Sequence, residues 1–145
     1  FQVKEPAEAY GRKPKHHQMP VYSMALDETQ PDAWQERAVE FLSVPDQLHR
    51  PGLLVVRMDE SDMEPVIMRG AYVGIDKDRK TVRSGGLYAL DMPMEGIIIK
   101  KILHDAENAR LVLRSESANF SDQFFPAEQA QERIVGRVVW VMQAL

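Results

Sequence analysis

The chain has 145 residues, 44% of them hydrophobic, and a formal charge of −4, which suits one domain with a real core and excludes a global basic field for nucleic acid. It has no cysteine, so disulfides and thiolate metal sites are excluded and a reducing, cytoplasmic compartment is expected. No apolar run approaches the ~18 residues that a membrane span needs, and neither a signal peptide nor a cofactor motif is visible.

The opening residue is Phe1 and not methionine, which reads as a piece of a longer protein. Residues 1–20 are broken by Pro6, Gly11, Pro14 and Pro20 and carry a cluster of Arg12, Lys13, Lys15, His16 and His17. They read as a linker or arm, with residues 21–145 as the domain. A solvated linker accounts for the basic cluster better than contact with DNA phosphates does. His16-His17 lacks a third ligand for a metal.

Val21–Met24 reads as a short strand. Pro31-Asp32-Ala33-Trp34 starts a predicted helix, because Trp34, Arg37, Ala38, Phe41 and Leu42 follow helical spacing. Phe41–Val44 fits an extended segment equally well. From Leu53 onward β signals dominate, and strands are predicted over 53–58, 71–76, 87–91, 97–103, 110–114 and 134–142. Arg69-Gly70, Ser84-Gly85-Gly86, Met94-Glu95-Gly96 and Asp105–Asn108 supply the turns. Met58, Met63 and Met68 read as core filler.

Two features stand out. Lys100 is set into the apolar strand Ile97-Ile98-Ile99-Lys100-Lys101-Ile102, so one of its two lysines points inward if the strand is central. The alternative is a lysine that snorkels to water. The strand 134–142 is apolar on both faces, which fits burial in the core alone or core packing combined with contact to another subunit.

Several segments, in this order and spacing, carry a family resemblance. They are Met63-Glu64-Pro65-Val66-Ile67, Gly70-Ala71-Tyr72-Val73-Gly74-Ile75-Asp76, Gly86-Leu87-Tyr88-Ala89-Leu90, Ile99-Lys100-Lys101-Ile102, Leu113-Arg114-Ser115-Glu116-Ser117 and Gly136-Arg137-Val138-Val139. Together they resemble the C-terminal domain of LexA-like and phage CI-like repressors, members of the self-cleaving serine/lysine peptidase superfamily. The resemblance implies a mainly β fold, with short antiparallel strands in a partly closed barrel. It implies a homodimer or higher homo-oligomer, with Val135, Arg137, Val139 and Val141 of the last strand at the interface. It also implies operator DNA held by a helix-turn-helix domain outside this fragment, and control by an antirepressor or by the DNA-damage recombinase filament.

Residue by residue, the resemblance puts the general base on Lys100 and the nucleophile on the residue before the motif methionine, which is Asp62. Glu60 stands where the family has glycine, and the nearest match to the scissile Ala-Gly bond is Ala25-Leu26. A carboxylate is a poor nucleophile for an amide, and an opposite charge beside a lysine favours the ammonium form. A non-cleaving regulatory domain is therefore the expected function. The alternative is an active self-cleaving peptidase that uses Ser61 with Lys100. A signal peptidase is disfavoured, because no membrane anchor is present.

Overall fold

The computed structural model describes residues 15–30 and 33–145. Among the described residues nine strands run in chain order: β1 (His16–Tyr22), β2 (Ala38–Pro45), β3 (Leu53–Arg57), β4 (Tyr72–Asp76), β5 (Gly86–Met92), β6 (Gly96–Asp105), β7 (Arg110–Arg114), β8 (Gln123–Pro126) and β9 (Ile134–Met142). A 3-10 turn spans Asp46–Leu48, and among the described residues one helix, α1, spans Ala127–Arg133. The strands form one sheet in the order β2-β1-β3-β4-β9-β5-β6-β7-β8. All neighbours are antiparallel except β1 and β3.

The mainly β expectation holds, but the sheet is open, with β2 and β8 as separate edges. It is nevertheless strongly curled. β1 and β6 lie five strand positions apart, about 24 Å if the sheet were flat. Yet the Ile97 N–H at the start of β6 donates to the Met24 carbonyl just past β1, at 2.9 Å. Curling buries Leu54 and Val56 of β3, Ile75 of β4 and Ile99 of β6 in one core cluster. Two smaller clusters flank it, one under α1 and one at the β1–β3 end.

Central strands explain the clearest sequence signals. β3 is paired on both sides and buried from Leu53 to Val56, hence its unbroken apolar run. β9 lies between β4 and β5, so both of its backbone edges are used. Gly74 permits this pairing: a Cβ there would lie 2.2 Å from the Trp140 ring. Most β9 side chains remain half-buried. Val135, Val138 and Val141 pack against the main cluster, and Val139 and Trp140 against the β1–β3 cluster.

Three expectations are corrected. β1 begins at His16 and pairs with both β2 and β3, so residues 16–20 belong to the sheet and not to an arm. Residues 1–14, with the rest of the predicted linker, lie outside the described residues. The helix predicted from Trp34 to Leu42 is absent, and Ala38–Pro45 forms β2. Its apolar residues satisfy a period of three to four, but pairing with β1 along its whole length gives the backbone groups that face β1 a ladder partner. The cost is an exposed Phe41. Pro31 and Asp32 lie outside the described residues. Met58 and Met63 are core residues, whereas Met68 is exposed, its amide donating to the Gln143 side chain. β8 and α1 have no counterpart among the predicted elements, being too short to show a period.

Candidate functional site

The segment between β3 and β4 is pinned at both ends. The Met58 amide donates to the Ala71 carbonyl at 2.8 Å and the Gly70 amide to the Met58 carbonyl at 2.7 Å. Met63 and Ile67 are fully buried and anchor its middle. With Met63 held inward, Asp62 is buried and Ser61 is exposed. The Ser117 amide, just past β7, donates to the Asp62 carbonyl at 2.9 Å and ties this turn to the neighbouring segment.

Lys100 lies in the middle of β6, opposite Tyr88 of β5. Its side chain is 13% exposed against 35% for Lys101, which pairs instead with Glu116 at 3.0 Å. Lys100 is therefore the inward lysine. Its Nζ donates to Asp62 Oδ2 in a short, buried ion pair and to Ser115 Oγ at 2.7 Å. The Ser115 hydroxyl in turn donates to Asp62 Oδ2 at 3.3 Å. The Phe120 ring lies 5.9 Å from the ammonium, within range of a cation–π contact. Asp62, Lys100 and Ser115 thus form a closed triangle, with every described partner of the ammonium an acceptor or a ring face.

This geometry pairs a buried charge with a carboxylate and a hydroxyl. The Ser115 hydroxyl is near the lysine, but Ser115 does not line the adjacent cleft. Ser61 makes no side-chain hydrogen bond to Lys100 among the described residues. Ser115 is a member of the site that the sequence reading missed. It stands inside a quoted motif, yet a serine after a strand carries no local sign that a lysine will reach it.

The cleft, about 670 Å³ in volume, has Asp62 and Lys100 on its wall together with Ala25 and Leu26. The structure therefore brings the cleavage-like segment to the dyad position. Gly96 makes the close approach possible. It has φ +88, and a Cβ there would lie 2.4 Å from the Met24 carbonyl oxygen. Only glycine adopts that conformation without strain while leaving room for the passing chain. Ser23 Oγ accepts from the Ala25 amide at 3.2 Å, which bends the segment as it enters the cleft.

Asp59 is another carboxyl on the cleft wall. Its pKa is raised, first by desolvation and then by the charge of Glu60, against smaller opposing contributions from a backbone hydrogen bond and Arg69. The histidine pair of the sequence reading lies elsewhere. His17 Nε2 bonds Asp46 Oδ1 at 2.8 Å, and its ring stacks on His49 at 3.8 Å. Val135, Arg137, Val139 and Val141 are half-buried on β9, away from the cleft wall. Among the described residues no helix is long and apolar enough to cross a membrane.

Comparison with known proteins agrees with the mainly β fold. The Repressor protein CI of Enterobacteria phage phi80 is 32% identical over 90 residues, which is 61% of this chain and 36% of that protein. The chain thus covers only about a third of that relative's length. The model of the Peptidase S24-like family matches residues 20–139, from β1 through most of β9, and the chain belongs to that family.

Proposed function

We propose that this chain is the regulatory and assembly domain of a repressor-type transcription regulator, and that its peptidase centre does not cut its own chain. The observation that carries the reading is the Asp62 carboxylate on the Lys100 ammonium, at the position where the family resemblance expects a hydroxyl nucleophile. A lysine committed as donor to a carboxylate and a hydroxyl has no lone pair to offer a nucleophile. The exposure of Ser61, away from that lysine, supports the same reading. So does the similarity to a phage repressor.

In this role the domain joins copies of the protein into a homodimer or higher homo-oligomer. The half-buried side chains Val135, Arg137, Val139 and Val141 of β9 form part of the contact. A helix-turn-helix domain elsewhere in the longer protein reads operator DNA, and dimerisation sets the spacing of its two half-sites. With the cutting route closed, release from the operator depends on a partner such as an antirepressor protein, and not on cleavage stimulated by the recombinase filament.

The test is incubation of the protein at about pH 10, near the ordinary lysine pKa, followed by mass spectrometry. An intact chain is expected. A discrete fragment that disappears in Ser61→Ala overturns the reading in favour of a Ser61–Lys100 peptidase. Sedimentation velocity at high micromolar concentration tests assembly, and a monomer there contradicts it.

A further inference from the structure

A pocket of about 440 Å³ opens between the loop after β4 and strand β9, and it shares no lining residue with the cleft. Asp78, Arg79, Lys80, Thr81 and Arg83 of the loop and Arg137 of β9 form its wall. Four of these six residues are cations, in a chain whose formal charge is −4. Arg79 is partly answered by Asp76 at 3.4 Å. Lys80, Arg83 and Arg137 have no salt-bridge partner among the described residues. The one acid on the wall pairs with none of them. The Asp78 carboxylate lies instead against Gly52, where a Cβ would come within 2.8 Å of Oδ2.

A second observation is independent of that charge. The loop is fixed by contacts that leave the cationic heads unused. Tyr88 is fully buried, and its hydroxyl accepts from the Arg83 amide at 2.8 Å and donates to the Thr81 carbonyl at 3.2 Å. The Gln131 side chain of α1 donates to the Lys80 carbonyl at 2.7 Å. The Gly86 amide donates to the Arg83 carbonyl at 3.0 Å. Like charges gathered in a concavity repel one another and focus the field on an incoming counter-charge. A backbone already held in place lowers the ordering cost of binding one.

The lining distinguishes the kinds of anion. No aromatic or apolar side chain stands on the wall, so recognition rests on charge and hydrogen bonding. A carboxylate presents two oxygens, which one guanidinium fork satisfies. Two unpaired guanidinium groups, an ammonium and the Thr81 hydroxyl offer more donors than that and match the oxygen-rich surface of phosphate. A DNA backbone is a long row of charges that meets the net negative charge of the whole chain. A compact anion meets only the local field, which salt limits to about 8 Å. We propose that this pocket binds a compact phosphate-bearing anion, of the size of pyrophosphate, between Arg83, Arg137 and Lys80. The site lies outside the Asp62–Lys100 centre, and it stands whether or not that centre cuts.

The experiment is isothermal titration calorimetry with pyrophosphate at low salt, beside acetate at the same concentration. Saturable binding of pyrophosphate alone is expected. Arg137 also belongs to the β9 contact proposed above, so the variants change the loop instead. Lys80→Gln combined with Arg83→Gln removes two exposed cations and weakens binding by about tenfold. Arg69→Gln with Arg133→Gln makes the same charge change at two exposed residues that do not line the pocket. It leaves the affinity unchanged. Equal weakening by the two double variants overturns the proposal, because the attraction is then that of net charge. So does the absence of saturable pyrophosphate binding, or binding of acetate as tight. A duplex oligonucleotide that binds more tightly than pyrophosphate, and is lost in the Lys80→Gln and Arg83→Gln variant, also overturns it and makes the loop a nucleic-acid contact.

Discussion

Ser115 Oγ lies 2.7 Å from Lys100 Nζ and 3.3 Å from Asp62 Oδ2, so one hydroxyl bridges both members of a buried ion pair. Asp62 comes from the turn after β3, Lys100 from mid-β6 and Ser115 from just past β7. The triangle therefore joins three segments that curling of the sheet brings together. Its energetics follow from burial: two charges removed from water are tolerated because each answers the other.

Asp62→Ala leaves the Lys100 ammonium buried with only a hydroxyl and a ring face. A loss of about 3 kcal/mol is expected, the usual cost of orphaning one member of a buried pair. Urea denaturation measures it. Asp62→Ala with Lys100→Met should recover most of the loss, because no charge is then left buried.

Asp62→Ser returns a hydroxyl to the nucleophile position and removes the carboxylate that holds the lysine. At about pH 10 a slow cut near Ala25-Leu26 is expected where the unaltered chain stays whole. Adding Lys100→Ala abolishes it. Mass spectrometry of the fragments reads both results. The rate stays low, because Leu26 stands where the family has glycine.

Gly96→Ala forces a Cβ to within 2.4 Å of the Met24 carbonyl oxygen at a backbone φ of +88. The expected cost is about 1–2 kcal/mol from backbone strain alone. The 24–26 segment must also lift from the cleft. Limited proteolysis should then cut near Ala25 faster than in the unaltered chain, while cutting elsewhere changes little.

Asp76 governs part of the acid limb. Burial pushes its carboxyl up, but the Asp78 amide and the Arg50 and Arg79 guanidinium groups outweigh that, and its pKa is lowered. A lowered folded value means the unfolded chain binds the proton more readily. The contribution is therefore present above the ordinary carboxylate pKa and is lost as pH falls through the folded one. Asp76→Asn should reduce stability at neutral pH and flatten the acid limb of a melting-temperature profile.

Asp59 has the opposite sign. Its folded pKa is raised, by desolvation first and by the charge of Glu60 next. Its ionisation therefore opposes folding as pH rises through that window. Asp59→Asn should raise the melting temperature at neutral pH and leave it unchanged well below the carboxylate range.

Much of the sheet was legible as sequence. β3, β6, β7 and β9 are read within one or two residues, because paired interior strands must be apolar and turns need glycine or polar residues at their ends. Asp62 and Lys100 were legible as a pair through the motifs around Met63 and Lys100, which fix their positions in the family pattern. β2 was not, because Phe41 and Leu42 satisfy a helical and an extended reading alike. Only pairing with β1, a contact distant from those residues, decides between them.

The sequence by itself determined which residues are apolar, where the chain turns, and that a carboxylate stands before Met63. Tertiary structure alone decided that the sheet stays open yet curls enough to set Met24 on Ile97. It also decided that Ser115 completes the triangle, and that Asp59, Glu60 and Glu95 share one cleft with Asp62. The physical reason is range. Alternation and turn chemistry act over a few residues and are written locally. The curl, the ion pair and the field in the cleft are sums over segments far apart in the chain, and they exist only once those segments meet.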